Sequence, residues 1–596
     1  MKYRTLFAAT LALTLAACGQ QASTPTAPTA STPTATAPAG EAYLVGFKEG
    51  ALSTQSLSEQ AVMQAQAISA AGGILTSQWA DISAAAVRLT PEALAKLKAN
   101  PLVEYVEADL QRQAMGTRSG ISDSDGDKTG TGSWGHGASL SSQGLSPQGI
   151  GAQGLYATSG ETTWGDSALR VPQLRAANYT GAGVAVCVTD TGIDGNHPEF
   201  AGKLRGFKNF VTTETNRSSA YQLNDVSHHG THVSGTIFAQ YGAGTGAAGL
   251  QPGEDVNGVG GVATGVNLYM ARVLGDDGKG ASSGIINGVN WCVSQLKSQG
   301  GTEAKVVVSM SLGGGSASQT EQRAYTAAYN KGALIIAATG NDGAAVSYPA
   351  AYTNVVGVGA IDENNAKASF SNFGTQVDLV GPGVHVLSSV PLGQGTRASA
   401  SGGGVTFADV GSADKGAKSV FTGNVVAAGD GTGTAGANQF CGTSTRNAAL
   451  SGNIALISRG TCTFEEKVAN ASASGAKAVI IYNNAAGALG GLSLTNTYAI
   501  PVVSISQSDG QGLLAKLPTT GTVAVESADY EYFDGTSMAT PHVSAAAAVV
   551  WAAKPTLTNT QLLNLLTSTA TDLGTTGKDN NFGYGLVNPL KAITGN

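Results

Sequence analysis

The sequence predicts an α/β protein: a parallel sheet with helices on both faces, preceded by a small α+β unit and interrupted by an insert with strands of its own. Three observations predict it. From Val184 onward, short apolar runs (184–189, 271–274, 306–310, 334–339 and 354–360) alternate with helical stretches, as expected of parallel strands buried on both faces. That alternation stops near residue 397, where a Gly- and Ala-rich segment begins. It lasts to about 527 and carries the apolar runs 454–457, 478–482 and 501–505. Ahead of the parallel sheet, strand-like segments at 42–47, 84–89 and 103–107 alternate with an Ala-rich helix at 57–71 and a second helix opened by Thr90-Pro91-Glu92. Thr90 suits an N-cap and Pro91 a first helical position.

The chain has 596 residues, too many for one core. Its boundaries read, in order, as follows. Residues 1–17 form an export signal, with Lys2 and Arg4 before an apolar stretch at 6–15 that is too short to span a bilayer comfortably. Leu15-Ala16-Ala17-Cys18 resembles a bacterial lipobox, which implies lipidation of Cys18 and membrane attachment through it; an ordinary cleaved signal is the competing reading. Residues 19–40, rich in Thr, Pro, Ala and Ser, read as a flexible tether. The α+β unit occupies 42–115, and a Gly-, Ser- and Gln-rich linker 116–160. The sheet domain occupies 161–396 and resumes at 528–596, with the insert at 397–527. In the linker, Asp123, Asp125 and Asp127 alternate as in a calcium loop, but the twelfth position is Trp134 rather than Glu, so a solvated acidic turn is expected.

Charged residues make up 12% of the chain and the net charge is −7, with no basic block. Nucleic acid is therefore not an expected partner. If Cys18 carries lipid, four cysteines remain in an exported chain, enough for two disulfides. Cys441 with Cys462, close together in one segment, is the favoured pair, and Cys187 with Cys292 the second. Buried free thiols are the competing reading.

Hydrolysis by a serine needs a nucleophile, a base to activate it, an acid to orient the base, and donors for the oxyanion. Three segments supply these residue types. They are Val188-Thr189-Asp190-Thr191-Gly192-Ile193-Asp194, His229-Gly230-Thr231-His232-Val233-Ser234-Gly235-Thr236 and Asp534-Gly535-Thr536-Ser537-Met538-Ala539-Thr540-Pro541-His542-Val543. Each fragment alone is weak. Together, in the order Asp, His, Ser, they resemble the subtilisin-like (subtilase) serine proteases. The resemblance implies Ser537 as nucleophile at the start of a long buried helix, His229 as general base and then acid, and Asp190 as the carboxylate that fixes the imidazole. His232 then reads as structural and His228 as a solvent neighbour. Ala337-Ala338-Thr339-Gly340-Asn341 resembles the family segment whose Asn donates to the oxyanion, which implies that role for Asn341.

Further expectations follow from the same resemblance. Ser309-Met310-Ser311-Leu312-Gly313-Gly314 resembles the edge strand that pairs with substrate backbone, so Ser311, Leu312 and Gly313 should form one wall of the main specificity pocket. Ala338, Thr339 and Gly340 should form the other. No acid stands at that pocket's base, so apolar or aromatic side chains should fit. Residues 42–115 resemble the inhibitor propeptide, with a ferredoxin-like fold and a C-terminal tail, 110–115, that blocks the cleft. Self-cleavage is expected after Met115, with a cut nearer Gly160 as the alternative. Residues 452–464, continuing to Lys467 and Ile500-Pro501-Val502-Val503, resemble a mainly β protease-associated (PA) domain. The chemistry needs no cofactor. The resemblance leaves room for structural calcium: Glu199 falls where the family often has Asp, and Asn257 lies in the loop, longer here, that would supply other ligands. The implied partners are protein or peptide substrates and the chain's own propeptide. The expected activity is exported endopeptidase, either released or anchored in the cell envelope. An inactive peptide-binding scaffold or an esterase using the same triad are the alternatives.

Overall fold

A computed structural model describes residues 40–48, 55–118, 120–121, 161–200, 204–212, 225–241, 259–407, 410–429, 438–487 and 489–595. Cys18, the signal and tether, Asp123, Asp125, Asp127 and Asn257 lie outside the described residues.

Seven parallel strands make the central sheet, in the spatial order Leu379–Pro382, Val356–Ile361, Leu334–Ala338, Val306–Met310, Ala185–Asp190, Asn267–Arg272 and Leu204–Asn209. Helices cover both faces. Thr536–Ala553 packs on His229–Phe238, and Ser282–Val293 packs on Gln319–Asn330. Nearly every residue of the five central strands is buried, which is why they read as continuous apolar runs rather than alternating ones. One expectation shifts. The strand placed at 271–274 is observed at Asn267–Arg272, because Val273 and Leu274 turn back to donate their N–H groups to the Asp190 carbonyl (2.9 and 3.1 Å). Both are buried outside the ladder, so their hydrophobicity marks burial rather than strand. The earliest of the seven strands in the chain, Ala185–Asp190, lies beside the fourth, Val306–Met310. The order reverses there, and the carboxyl ends of these two strands open a crevice.

Residues 41–108 form a four-stranded antiparallel sheet in the order Ile74–Trp79, Ala84–Leu89, Glu41–Phe47, Val103–Ala108, the βαββαβ arrangement of a ferredoxin-like unit. Its helices are Leu57–Ala71, opened by a Ser56–Glu59 capping box, and Pro91–Lys98, capped by Thr90. Strand periodicity divides its residues. Ala85, Val87 and Leu89 pack with Ile68 and Leu97 of these helices, whereas Ala84 and Ala86 join Leu44, Trp79, Ile286 and Ala324 against the helices Ser282–Val293 and Gln319–Asn330. Glu107 accepts from the Gln319 and Thr320 N–H groups (3.0 and 2.9 Å), and Asp109 accepts from the Ser283 N–H (2.9 Å). Each carboxylate thus satisfies orphan donors at a helix start, where the dipole favours it.

The insert is an eight-stranded mixed sheet. Its first and last long strands, Gly395–Gly402 and Thr519–Ala528, pair antiparallel end to end, so the paired limits fall just outside 397–527. In Ile454–Ser458, Ala455 and Ile457 enter one apolar cluster while Ile454 and Leu456 enter another on the opposite face. The cysteines are joined as Cys187–Cys292 and Cys441–Cys462. The stretch after Met115 departs at once from a plain linker: Thr117–Arg118 pairs with Phe533 and Asp534, and Gly120–Ile121 with Gly491 and Leu492.

Candidate active site

Asp190 ends its strand fully buried. Its Oδ1 accepts from the Thr191 N–H (2.7 Å) and lies 2.7 Å from His229 Nδ1. His229 opens its helix after His228, which turns the chain through φ 68°. Gly230 is required next. A Cβ there would stand 2.0 Å from the Gly192 carbonyl oxygen, so only glycine lets the helix start approach the loop that follows Asp190. Asp225, which the sequence reading missed, ties these segments together. It accepts from Thr191 Oγ1 (2.8 Å), the Thr231 N–H (2.7 Å) and Thr231 Oγ1 (2.6 Å). Burial pushes its carboxyl up to about 6, against the pull of those hydrogen bonds. The available signal was an acid four residues ahead of a helix start.

Burial alone would push the His229 imidazole down. The charge and hydrogen bond of Asp190, with the charge of Asp225, outweigh it and hold the imidazole above its ordinary value. His232 is the opposite case. Burial, then the neighbouring His229, push it down to about 3. Its neutral ring stacks on Phe533 (4.3 Å), with Nε2 near the Val386 and Glu531 carbonyls. His228 is not a solvent neighbour. It is buried, with Nε2 3.0 Å from Gln394 Oε1, because its left-handed backbone turns the ring onto the strap leading into the insert.

Ser537 lies in the first turn of the buried helix Thr536–Ala553. Its hydroxyl donates to the Ser311 carbonyl (2.9 Å), and His229 Nε2, also buried, has no hydrogen-bond partner. The structure thus joins Asp190 to His229 but not His229 to Ser537. The chain itself occupies the crevice. Gln111–Ala114 is an antiparallel strand between Lys279–Ala281 and Leu312–Gly313, and the Met115 N–H donates to Ser311 O (3.2 Å). The Met115 carbonyl accepts from the Ser537 N–H (3.0 Å) and Asn341 Nδ2 (2.8 Å). Asn341 Oδ1 in turn accepts from Thr536 N (2.9 Å) and Oγ1 (2.8 Å), which fixes the amide's orientation. A Cβ on Gly535 would stand 2.4 Å from the Met115 oxygen, and one on Gly116 would stand 3.1 Å from His229 Nε2.

The Met115 side chain is buried against Gly313, where an added Cβ would meet its methyl at 2.8 Å. Leu312 and Ser311 precede Gly313 and are buried. Ala338 ends the strand Leu334–Ala338, and Thr339 and Gly340 follow it. Gly340 has φ 108°, and Thr339 is held by Val358 O, Ser347 N and Asn372 Nδ2.

Glu199 is buried beside Tyr530 and Gln240. Its oxygens already accept from the Tyr530 hydroxyl and the Gln240 N–H, both at 2.7 Å, and burial pushes its carboxyl up to about 7. Among the described residues no group of three or more His, Cys, Asp or Glu converges as a metal site; Asn257 lies outside them. Nor, among them, is any helix long and apolar enough to cross a membrane.

Residues 181–461 match the Subtilase family and 421–513 the PA domain. The first match contains Asp190, His229 and Asn341; Ser537 lies beyond it, after the insert. Subtilisin NAT of Bacillus subtilis subsp. natto is 33% identical over 356 residues, 59% of this chain and 74% of that protein. Subtilisin BL of Lederbergia lenta is 40% identical over 229 residues, 38% of this chain and 74% of that protein. Among solved structures, the psychrophilic subtilisin-like protease Apa1 of Pseudoalteromonas sp. AS-11 is 30% identical with a TM-score of 0.53, over 72% of this chain and 96% of that one. Fervidolysin of Fervidobacterium pennivorans shares the fold at 21% identity, with a TM-score of 0.54 over 93% of this chain and 61% of that one.

Proposed function

The chain belongs to the subtilase family and is a subtilisin-like serine protease, and on that premise we propose that it is an endopeptidase that first cuts its own chain between Met115 and Gly116. The observation that carries this reading is the Met115 carbonyl. It sits on two donors, the Ser537 N–H and Asn341 Nδ2, at the end of a strand-paired segment, beside the Asp190–His229 pair. An extended peptide held on both sides by main-chain hydrogen bonds is bound largely without regard to its sequence.

The chemistry then runs through this chain's own groups. Ser537 Oγ turns from the Ser311 carbonyl toward His229 Nε2, whose buried lone pair is unpaired. It gives its proton to Nε2 as it attacks the Met115 carbonyl carbon. The new oxyanion keeps the two donors, and hydrogen bonds to it are stronger than those to the neutral carbonyl. Asp190 holds the tautomer that leaves Nε2 free and stabilises the imidazolium. His229 then protonates the Gly116 nitrogen, which leaves. Water activated by the same base releases Met115 from the acyl-enzyme.

The freed tail of residues 110–115 ends in the cleft and inhibits the enzyme until the propeptide is lost. The Met115 site against Gly313 favours apolar side chains at the residue before the cut. Protein or peptide substrates follow the same strand path. Export, and anchoring through a lipidated Cys18, belong to the same proposal and rest on residues 1–18 of the sequence.

The test is mass spectrometry of wild type beside Ser537→Ala, each incubated with casein. Wild type is expected to split after Met115 and digest casein, with the variant intact and inert. Identical behaviour of the two would end the reading in favour of a binding scaffold. Scission without casein turnover, followed by turnover of simple esters, would favour the esterase.

A further inference from the structure

Counting back from the Met115 carbonyl, Arg112 is the fourth residue before the proposed cut. In the strand Gln111–Ala114 its side chain is buried, whereas its neighbours Gln111 and Gln113 are exposed. A fully buried arginine in a segment that must leave the cleft is unusual and needs a partner. That partner is Glu321, in the first turn of Gln319–Asn330 and itself fully buried. Arg112 Nε donates to Glu321 Oε1 (3.0 Å) and Nη2 to Oε2 (2.6 Å), a two-pronged, planar match. The Tyr352 hydroxyl (2.9 Å) and the Ser282 hydroxyl also donate to the carboxylate, so it is oriented from the catalytic side before any guanidinium arrives. Space is reserved as well: a Cβ on Gly314 would stand 2.9 Å from Arg112 Nη1.

We propose that Glu321 makes this fourth subsite a guanidinium pocket, so that the mature enzyme selects substrates with arginine four residues before the cut. The inference rests on Met115–Gly116 being the bond cleaved. Among the described residues, Arg112 is the cation paired with Glu321. Once the tail departs, two neutral hydroxyls remain on a carboxylate set deep in the cleft wall. An incoming arginine restores both hydrogen bonds and the opposite charge. An apolar side chain leaves the carboxylate with those two hydroxyls and no opposite charge. Lysine, a point charge without the fork, recovers only part of the interaction. The selectivity is therefore a property of the catalytic domain, displayed by its own propeptide.

The experiment uses the matured full-length product and quenched peptides Xaa-Gln-Ala-Met-Gly-Thr, with Xaa as arginine, citrulline, lysine or leucine. Citrulline has arginine's shape without its charge. Wild type should favour arginine over citrulline in kcat/KM by at least about 30-fold, the lower bound for breaking a buried charge pair. In Glu321→Gln that ratio should collapse to about 1. If Glu321→Gln does not mature, Gly314→Ala keeps the carboxylate while crowding the guanidinium, and should lower the arginine-to-leucine ratio. A wild-type arginine-to-citrulline ratio near 1, with cleavage still between Met and Gly, would overturn the subsite alone. Cleavage at another bond, or no cleavage at all, would overturn the register on which it depends as well.

Discussion

Replacing Asn341 with alanine isolates one of the two donors on the reacting carbonyl. In the structure the Met115 oxygen has Nδ2 at 2.8 Å and the Ser537 N–H at 3.0 Å; the second is backbone and stays. The Asn341 amide is also pinned by Thr536 N and Oγ1, so it does not reorganise as charge builds on the oxygen. Losing one such donor costs about 2.7–4 kcal/mol, or ~100–1000-fold in turnover, a magnitude that comes from a member of this same family rather than from these distances. The hydrogen bond to the neutral carbonyl is worth far less than the one to the oxyanion, so the loss should fall on kcat and leave KM nearly unchanged. Self-cleavage offers the cleanest assay. It is intramolecular, so its first-order rate on a gel time course contains no binding step and should not depend on protein concentration. Asn341→Ala should slow it by that factor, and kcat on a peptide substrate should fall in parallel. An unchanged cleavage rate, or a loss confined to KM, would refute the assignment of Asn341.

The pH profile follows from His229. Only the neutral imidazole accepts the Ser537 proton, and the Asp190 and Asp225 charges raise its pKa over the opposing effect of burial. Activity in kcat/KM should therefore fall as pH drops through a midpoint above the ordinary histidine value of 6.5, and a midpoint below that value would contradict the geometry. Gly230→Ala places a methyl group 2.0 Å from the Gly192 oxygen. The His229 helix start must move, and a misplacement on the order of 1 Å should cost ~100-fold in activity; a folded variant of ordinary activity would refute the close approach. In a Ser537→Ala background, to prevent autolysis, removing Cys187–Cys292, which spans 105 residues, should cost more stability than removing Cys441–Cys462, which spans 21. Loop-closure entropy puts the losses at about 5 and about 3 kcal/mol. Urea unfolding would show the order, and the reverse order would mean that native-state packing, not loop entropy, sets the effect.

Local chemistry explains what could be read without coordinates. The Thr90 cap, the alternation along Val103–Ala108 and the fully buried strands Val306–Met310 and Ala478–Tyr482 are set by neighbours a few residues apart. Misplacements occurred where burial came from elsewhere. Val273 and Leu274 looked like strand because they are buried, yet their N–H groups belong to Asp190 O. His228 reads as a solvent neighbour of the proposed base, yet Gln394 covers it from a distant strap.

Residue order alone carries the α/β class, the unit that precedes the sheet, the insert within it, and the residues with the right chemistry: Asp190, His229, Asn341 and Ser537. Each sits in a motif whose turns and helix starts are short-range, so their signature is written in adjacent letters. The packing of distant segments brings these residues together. It set Asp190 against His229, turned Ser537 toward Ser311, and laid the Met115 carbonyl on donors from two separate segments. It also paired Arg112 with Glu321 across 209 positions. Such pairs depend on which strand ends share a crevice and on the path of the tail through it. Nothing in either residue's own neighbourhood encodes that geometry.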